Sequence, residues 1–270
     1  MNNICKLNFN DKTKMVSNNP NESKLLEIFF DVFKTTKVGI IKLGGKEYLL
    51  KKEYFIKNFP LLVNIYKFLK FDVHEYKFYR KYENIIKKSN YRKNIQLPIK
   101  YKICKDSSIY IFEKIDTNLN SFFLKTLMIP VFNKILHKAL SIIYYINHTL
   151  HIFHNDLYQN NKPRNFMVNK LKSNYTVILI DFGLFSNVMG VKNQFFYKTK
   201  GIKYGYKFII KSELLIVLYI FLINYYKNLN INFHDLYLYF YNKLKIYDLK
   251  EFDTVIYKSI KNIDEILRVL

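Results

Sequence analysis

The sequence has no tryptophan, seven glycines, five prolines and two cysteines. Two cysteines, Cys5 and Cys104, cannot form a disulfide framework, which excludes the small stapled scaffolds and fits a reducing, intracellular, cytoplasmic setting. Glycines so few and scattered supply no glycine-rich phosphate loop. A long apolar run is missing too. The longest, "LLIVLYIFLI" from Leu214 to Ile223, falls well short of the roughly 20 residues of a membrane span. It predicts a helix buried on all sides within a globular lobe. The opening "MNNICKLNFNDKTK" is polar and has no apolar core of the kind a signal peptide carries. Arginine is scarce: of 44 basic residues only Arg80, Arg92, Arg164 and Arg268 are arginines.

Lysine is what the chain has in excess, and with 21 acidic residues it brings the formal net charge to +23. Asn, Ile, Tyr and Phe are abundant as well, the bias of an A+T-rich coding sequence. The lysines are spread along the whole chain, which favours a solvated basic surface. An anionic partner, nucleic acid or acidic protein, stands as the alternative. Half the residues are hydrophobic, so 270 residues can bury a core in one large domain or two lobes.

Residues 1–22, rich in Asn, Lys and Asp, predict a loose leader. Apolar segments "EIFFDVF", "KVGIIKL" and "KEYLLKK" then predict three strands, separated by "KTTK" and by the turn pair Gly44-Gly45. After Pro60 the spacing of "LLVNIYKFLKFDVHEYKFYRKYENIIKK" predicts a helix, and "LPIKYKIC" and "SIYIFEKI" predict two more strands. Near Asp116 the character changes. Pro130 suits the first turn of a long helix whose Phe132, Ile135, Leu136, Ala139, Leu140, Ile143 and Ile146 form one apolar face. "FMV" and "TVILI" predict a strand pair, and Lys211 to Leu270 is mostly helical. The organisation is an α+β chain: a sheet-rich lobe over 23–116, a connection near 114–118, and a larger helical lobe over 117–270.

Chemistry-bearing residues stand at the ends of these elements. Lys51 closes a strand, and Glu75 lies 24 residues later in the following helix. In "HNDLYQNNKPRNFMV", Asp156 follows the long helix and Asn165 precedes a strand; in "IDFG", Asp181 follows that strand's partner. A lysine, an acid to hold it, and a loop carrying Asp, Asn and Asp suit phosphoryl transfer. The cation meets the phosphates, Asn165 and Asp181 offer the hard oxygens Mg²⁺ prefers, and Asp156 receives or orients the acceptor hydroxyl's proton.

The pattern "HNDL…RNFMV…ILIDFG" resembles the catalytic core of the protein kinase superfamily. "YLLKK" and "HEYKFYRKY" resemble its lysine strand and glutamate helix, over roughly residues 25–225. The flavour is that of the compact kinase-like proteins of large DNA viruses. The resemblance implies a two-lobed fold and ATP and Mg²⁺ as cofactors, with Ser or Thr of a protein substrate as acceptor. Asp156 would be the catalytic base, Asn165 and Asp181 the metal ligands, and Lys51 the phosphate lysine tied to Glu75. Met167 would line the adenine pocket and the backbone from Glu113 to Ile115 would face the adenine edge. Phe182 and His154 would stack to align the loop. Lys52, Glu53 and Glu83 stand near the lysine and glutamate positions as alternatives.

The departures from the family pattern carry their own expectations. Its metal-ligating Asn usually follows the base by five residues, where this chain has Asn161. Asn165 is preferred because a strand starts behind it, which makes "QNNK" an insertion, with Asn161 the alternative. Asn155 replaces the Arg that pairs with a phosphorylated activation loop, so activity is expected without such phosphorylation. Tyr158 replaces a Lys near the γ-phosphate, and Lys162 or Arg164 would supply that charge. "KTTK" takes the place of the glycine-rich loop. There is no Ala-Pro-Glu motif and no Asp opening the buried helix, where Glu213 stands closest. A small-molecule kinase of the aminoglycoside or choline type and a non-catalytic partner-binding module are the two other expectations.

Overall fold

The computed structural model describes residues 36–55, 75–115, 117–171, 174–200, 211–244 and 249–269. The expected strand "EIFFDVF", the first half of "KTTK" and the helix before Glu75 lie outside them. Contacts divide the described chain into two units, one of residues 36–55 and Leu97–Lys114, the other of residues 75–96 and those from Ile115 onward.

The first unit is an antiparallel sheet. Its strands are β1 (Thr36–Leu43), β2 (Lys46–Tyr54), β3 (Lys100–Ile103) and β4 (Ser107–Glu113), in the order β1-β2-β4-β3. β1 and β2 are joined through Gly44 and Gly45, at φ 56° and 79°. A two-residue hairpin turn with both central residues at positive φ matches the twist of the flanking strands, and glycine adopts that conformation without strain. β4 is buried from Ser107 to Phe112, as befits a central strand. Leu50, Ile109 and Ile111 form the core, with Ile41, Tyr48 and Cys104 packed against them. Lys51 and Glu53 are both buried on β2. The Tyr110 hydroxyl donates to Glu53 Oε2 at 2.9 Å.

The second unit is mainly helical. Among its described residues are α1 (Glu75–Lys88), β5 (Thr117–Asn118), α2 (Ser121–Lys125), α3 (Ile129–His148), β6 (Tyr158–Gln159), β7 (Lys162–Pro163), β8 (Phe166–Leu171) and β9 (Asn174–Leu179). They are followed by α4 (Val191–Thr199), α5 (Glu213–Tyr225), α6 (Phe233–Asn242), α7 (Leu249–Ser259) and α8 (Ile263–Val269). The sequence puts α1 with the sheet-rich lobe; its contacts group it with the helical unit. The two-unit α+β make-up, antiparallel sheet and helical body, is the one the kinase resemblance implies.

α3 begins with Pro130 in its first turn, where a missing N–H costs nothing. All seven apolar residues of its predicted face are buried. α3 packs against α5, α7 and β9. In α5 every residue from Glu213 to Leu222 is buried, so the helix is solvent-shielded all round. At 13 residues it is about 20 Å long. No described helix is long and apolar enough to cross a membrane. Ser212 caps α5 by accepting the Leu215 N–H at 3.3 Å and also donates to Asp253 Oδ1. Asp253 Oδ2 lies 2.6 Å from His148 Nε2, so one carboxylate ties α7 to α3 and to the start of α5. The segment "FHDLYLYF" around Asp235, a second His-Asp pair, is amphipathic helix α6, with Asp235 exposed.

The expected insertion "QNNK" is a hairpin. β6 and β7 pair through Tyr158↔Pro163 and Gln159↔Lys162 around Asn160 and Asn161, at φ 50° and 54°. Left-handed backbone costs most residues roughly 1–2 kcal/mol each, and Asn less. Replacing Asn160 and Asn161 together by Ala is expected to lower stability by about 1–2 kcal/mol. Asn161→Gly is expected to hold or raise the melting temperature, measured by thermal denaturation.

Candidate active site

The hairpin closes the nine-residue gap between Asp156 and Asn165. The Arg164 N–H donates to the Leu157 carbonyl at 2.9 Å, just beyond β6 and β7. Asn165 then turns back, at φ 62°, and its amide Nδ2 donates to the Asp156 carbonyl at 2.8 Å and to Asp156 Oδ2 at 3.0 Å. Both amide protons are thereby used, which leaves Oδ1 as an oxygen donor for a cation. Asn161 is elsewhere: its side chain sits in the exposed hairpin turn and its carbonyl accepts from Asn224 Nδ2 at 2.7 Å.

Asp181 reaches the same end of the β8–β9 pair. Phe166 pairs with Leu179, and one step beyond that rung the Ile180 N–H donates to the Asn165 carbonyl at 2.9 Å. His154 Nε2 bonds the Ile180 carbonyl at 2.9 Å. A carbonyl only accepts, so Nε2 carries the proton. The His154 and Phe182 rings are 4.9 Å apart. Phe182 stacks on Phe78 of α1 at 3.8 Å, and its N–H donates to Glu75 Oε1 at 3.2 Å. Tyr79 donates its hydroxyl to the same oxygen at 2.8 Å. Glu75, buried at the start of α1, thus fixes that helix to the Asp181 segment.

Asp156 is 7% exposed and heavily engaged. Lys192 Nζ, from the first turn of α4, lies 2.8 Å from Oδ1, and Arg164 Nε lies 3.3 Å from Oδ2. Burial pushes the carboxyl up, but the Lys192 and Arg164 charges outweigh it against the opposing charge of Asp181, and Asp156 is held below the ordinary carboxylate value. It is therefore ionised at neutral pH. Beside it, burial raises the Tyr158 phenol, helped by Asp156 and Glu213, so that hydroxyl stays protonated. It donates to the Lys192 carbonyl at 3.0 Å.

Two residues that the motif reading undervalued organise this loop. Glu213, fully buried, accepts four N–H groups: those of His154 at 3.0 Å and Asn155 at 2.8 Å, with Nδ2 of Asn147 at 3.0 Å and of Asn193 at 2.9 Å. It also stands at the N-terminus of α5, where the helix dipole favours a carboxylate. Asn155, buried at φ 65°, donates through Nδ2 to the Leu184 and Val188 carbonyls at 3.2 and 3.4 Å. Its Oδ1 accepts the Gly190 N–H at 2.6 Å. The segment after Asp181 is pinned to the loop by a neutral amide. Lys192 had no signature in the sequence, since it lies 36 residues from Asp156 on no recognisable motif.

Of the remaining candidates, Met167 is half-buried in β8 opposite Asn118 and Ile178, and Ile115 is half-buried just ahead of β5. Lys51 belongs to the sheet unit. Asp156, Arg164, Asn165, Asp181 and Glu75 all belong to the helical unit, joined by the bonds above. No group of three or more His, Cys, Asp or Glu among the described residues makes an all-protein metal cage. Asn165 and Asp181 would be the residues to hold a hard cation such as Mg²⁺, which takes one or two protein oxygens and completes its shell with water and phosphate.

No family model matches the chain, and no curated protein matches it. Among solved structures, the crystal structure of the PF14_0431 kinase domain aligns with a TM-score of 0.39 at 15% identity. It covers 57% of this chain and 48% of that one, so the match spans about half of that kinase domain.

Removing the Glu213 carboxylate would strand four buried N–H donors. Glu213→Ala is expected to cost about 3–5 kcal/mol of stability in denaturant unfolding, and Glu213→Gln less, because one acceptor oxygen survives.

Proposed function

We propose that the chain is an ATP- and Mg²⁺-dependent phosphotransferase that transfers to Ser or Thr hydroxyls of a protein. The observation that carries this is the state of Asp156. Asn165 bonds its carbonyl and its Oδ2, Lys192 and Arg164 flank the carboxylate, and it stands next to the strand end that presents Asp181. A carboxylate so held suits the alignment of an acceptor hydroxyl and receipt of its proton as the oxygen attacks. Bound Mg-ATP supplies the transferable γ-phosphoryl group and the metal charge that offsets its oxygens. Asn165 and Asp181 would hold the metal. Lys51 would be the phosphate lysine with Glu75 as its partner, and Met167 and Ile115 would border the adenine, as the kinase resemblance implies. Arg164, bonded to Asp156 and through Nη1 to Gln159 Oε1 at 2.9 Å, helps to set the orientation of the carboxylate.

Labelled ATP with Mg²⁺ and basic or acidic test proteins provides the assay. Wild type is expected to label protein, Asp156→Asn to lose roughly 10²–10⁴-fold in rate and Asn165→Ala about 100-fold. Asn161→Ala is expected to stay within about twofold, because its side chain lies off the site. Turnover only with a small metabolite would move the acceptor to the small-molecule class. No transfer, with no thermal shift on adding Mg-ATP, would leave the partner-binding module.

Asn155 supports a second expectation. It makes with its amide the segment contacts that a phosphate–Arg pair makes elsewhere, so no added charge is needed. Phosphatase treatment of active protein is expected to leave its rate unchanged, whereas Asn155→Ala lowers it.

A further inference from the structure

A cation beside the base offsets the charge that builds on a transferring phosphoryl group. The residue two past Asp156 is Tyr158, so the loop itself offers none at that position. Of the two basic residues the sequence suggested instead, Lys162 is exposed on β7, in the rung with Gln159. Arg164 has Nε on Asp156 and Nη1 on Gln159. Lys192 is held differently. Its Nζ donates to Asp156 Oδ1 at 2.8 Å and to the Tyr158 carbonyl at 2.5 Å, and it lies 4.7 Å from the centre of the Tyr158 ring. An ammonium has three N–H donors, so one is left over after these two bonds. Its side chain is 27% exposed, so the group is not sealed in.

We propose that Lys192 is the cation of the transferring phosphoryl group, delivered to Asp156 from the segment that follows Asp181. The inference rests on the phosphotransferase reading above. Two N–H groups and the Tyr158 ring fix the ammonium, and the third N–H serves a phosphoryl oxygen. Tyr158 is then the platform for the lysine that its own position lacks, through its carbonyl, its ring and its hydroxyl bond to the Lys192 carbonyl. The arrangement also couples the charge to the segment. Gly190, immediately before α4, is bonded to Asn155 Oδ1 at 2.6 Å, and Asn193, immediately after Lys192, is bonded to Glu213. Lys192 reaches Asp156 only while that segment is docked.

The test uses the full chain as wild type, Lys192→Gln, Lys192→Arg and Arg164→Met. Gln keeps N–H donors for Asp156 and the Tyr158 carbonyl while removing the charge, and cooperative melting of each variant establishes that it is folded. Four quantities are read: the dissociation constants of Mg-ATP and Mg-ADP, kcat, and the pH–rate profile. Lys192→Gln is expected to lower kcat about 100-fold and to reduce the preference for ATP over ADP about tenfold. It is also expected to move the acid limb of the profile to higher pH, since Asp156 loses its nearer cation. Lys192→Arg is expected to restore part of the ATP preference, and Arg164→Met to leave it unchanged. A Lys192→Gln protein that keeps kcat and the ATP/ADP ratio within about twofold overturns the proposal. Collapse of the ratio in Arg164→Met alone overturns it too, in favour of Arg164. A wild type that neither transfers phosphate nor binds Mg-ATP overturns the underlying phosphotransferase reading as well, a result distinct from an active wild type matched by Lys192→Gln.

Discussion

The Glu213 carboxylate is the point on which the loop around Asp156 depends. It is buried, and its charge is met by four N–H dipoles and the start of α5. Two of those dipoles are the backbone N–H groups of His154 and Asn155, the residues directly before Asp156. A third comes from α3 and the fourth from α4. One side chain therefore sets the end of the long helix, the loop and the following segment against a helix that is buried along its length. Such a carboxylate tolerates little displacement, because any donor that leaves it is desolvated without a partner. Asp156 inherits that rigidity.

Charge at Asp156 is resolved in the opposite way, by cations and not by dipoles alone. Lys192 and Arg164 approach different oxygens, and Asn165 adds a neutral donor. Burial by itself would favour the protonated acid. The two cations reverse that preference. Because one of them arrives from α4, the ionisation of Asp156 is coupled to the docking of the segment after Asp181. The Asn155 contacts that hold the same segment are neutral.

Periodicity made much of the fold legible. The seven-residue face of α3, the buried run of α5, the Gly44-Gly45 turn and the β8–β9 pair each leave a local pattern of apolar spacing or turn chemistry. His154, Asp156, Asn165 and Asp181 were legible because they stand at element ends in a recognisable order. Lys192 was not, because nothing local distinguishes it from 39 other lysines; only the tertiary path of the segment brings it to Asp156. Glu213 was visible only as the acid nearest to where an aspartate was expected. Its partners come from α3, the loop before Asp156 and α4, a convergence that spacing cannot evaluate.

The scarcity of glycine bears on the site itself. Among the described residues, six non-glycine positions have positive φ, and all fall between His151 and Asp181: His151, Asn155, Asn160, Asn161, Asn165 and Asp181. Left-handed backbone is where glycine is normally used, and the described glycines at positive φ are confined to the β1–β2 turn. Asn and Asp are the side chains that tolerate this region best, since their short polar groups hydrogen-bond locally. Asn155 and Asn165 use the same turn of backbone to bind, respectively, the segment after Asp181 and Asp156. A glycine at either position would relax the backbone and remove the amide that does the binding. Two of the strained residues, Asn155 and Asn165, are thus ones that join the loop together, and their side-chain bonds over-determine the backbone they adopt. An asparagine-rich, glycine-poor composition is for this loop a structural resource as well as a coding bias.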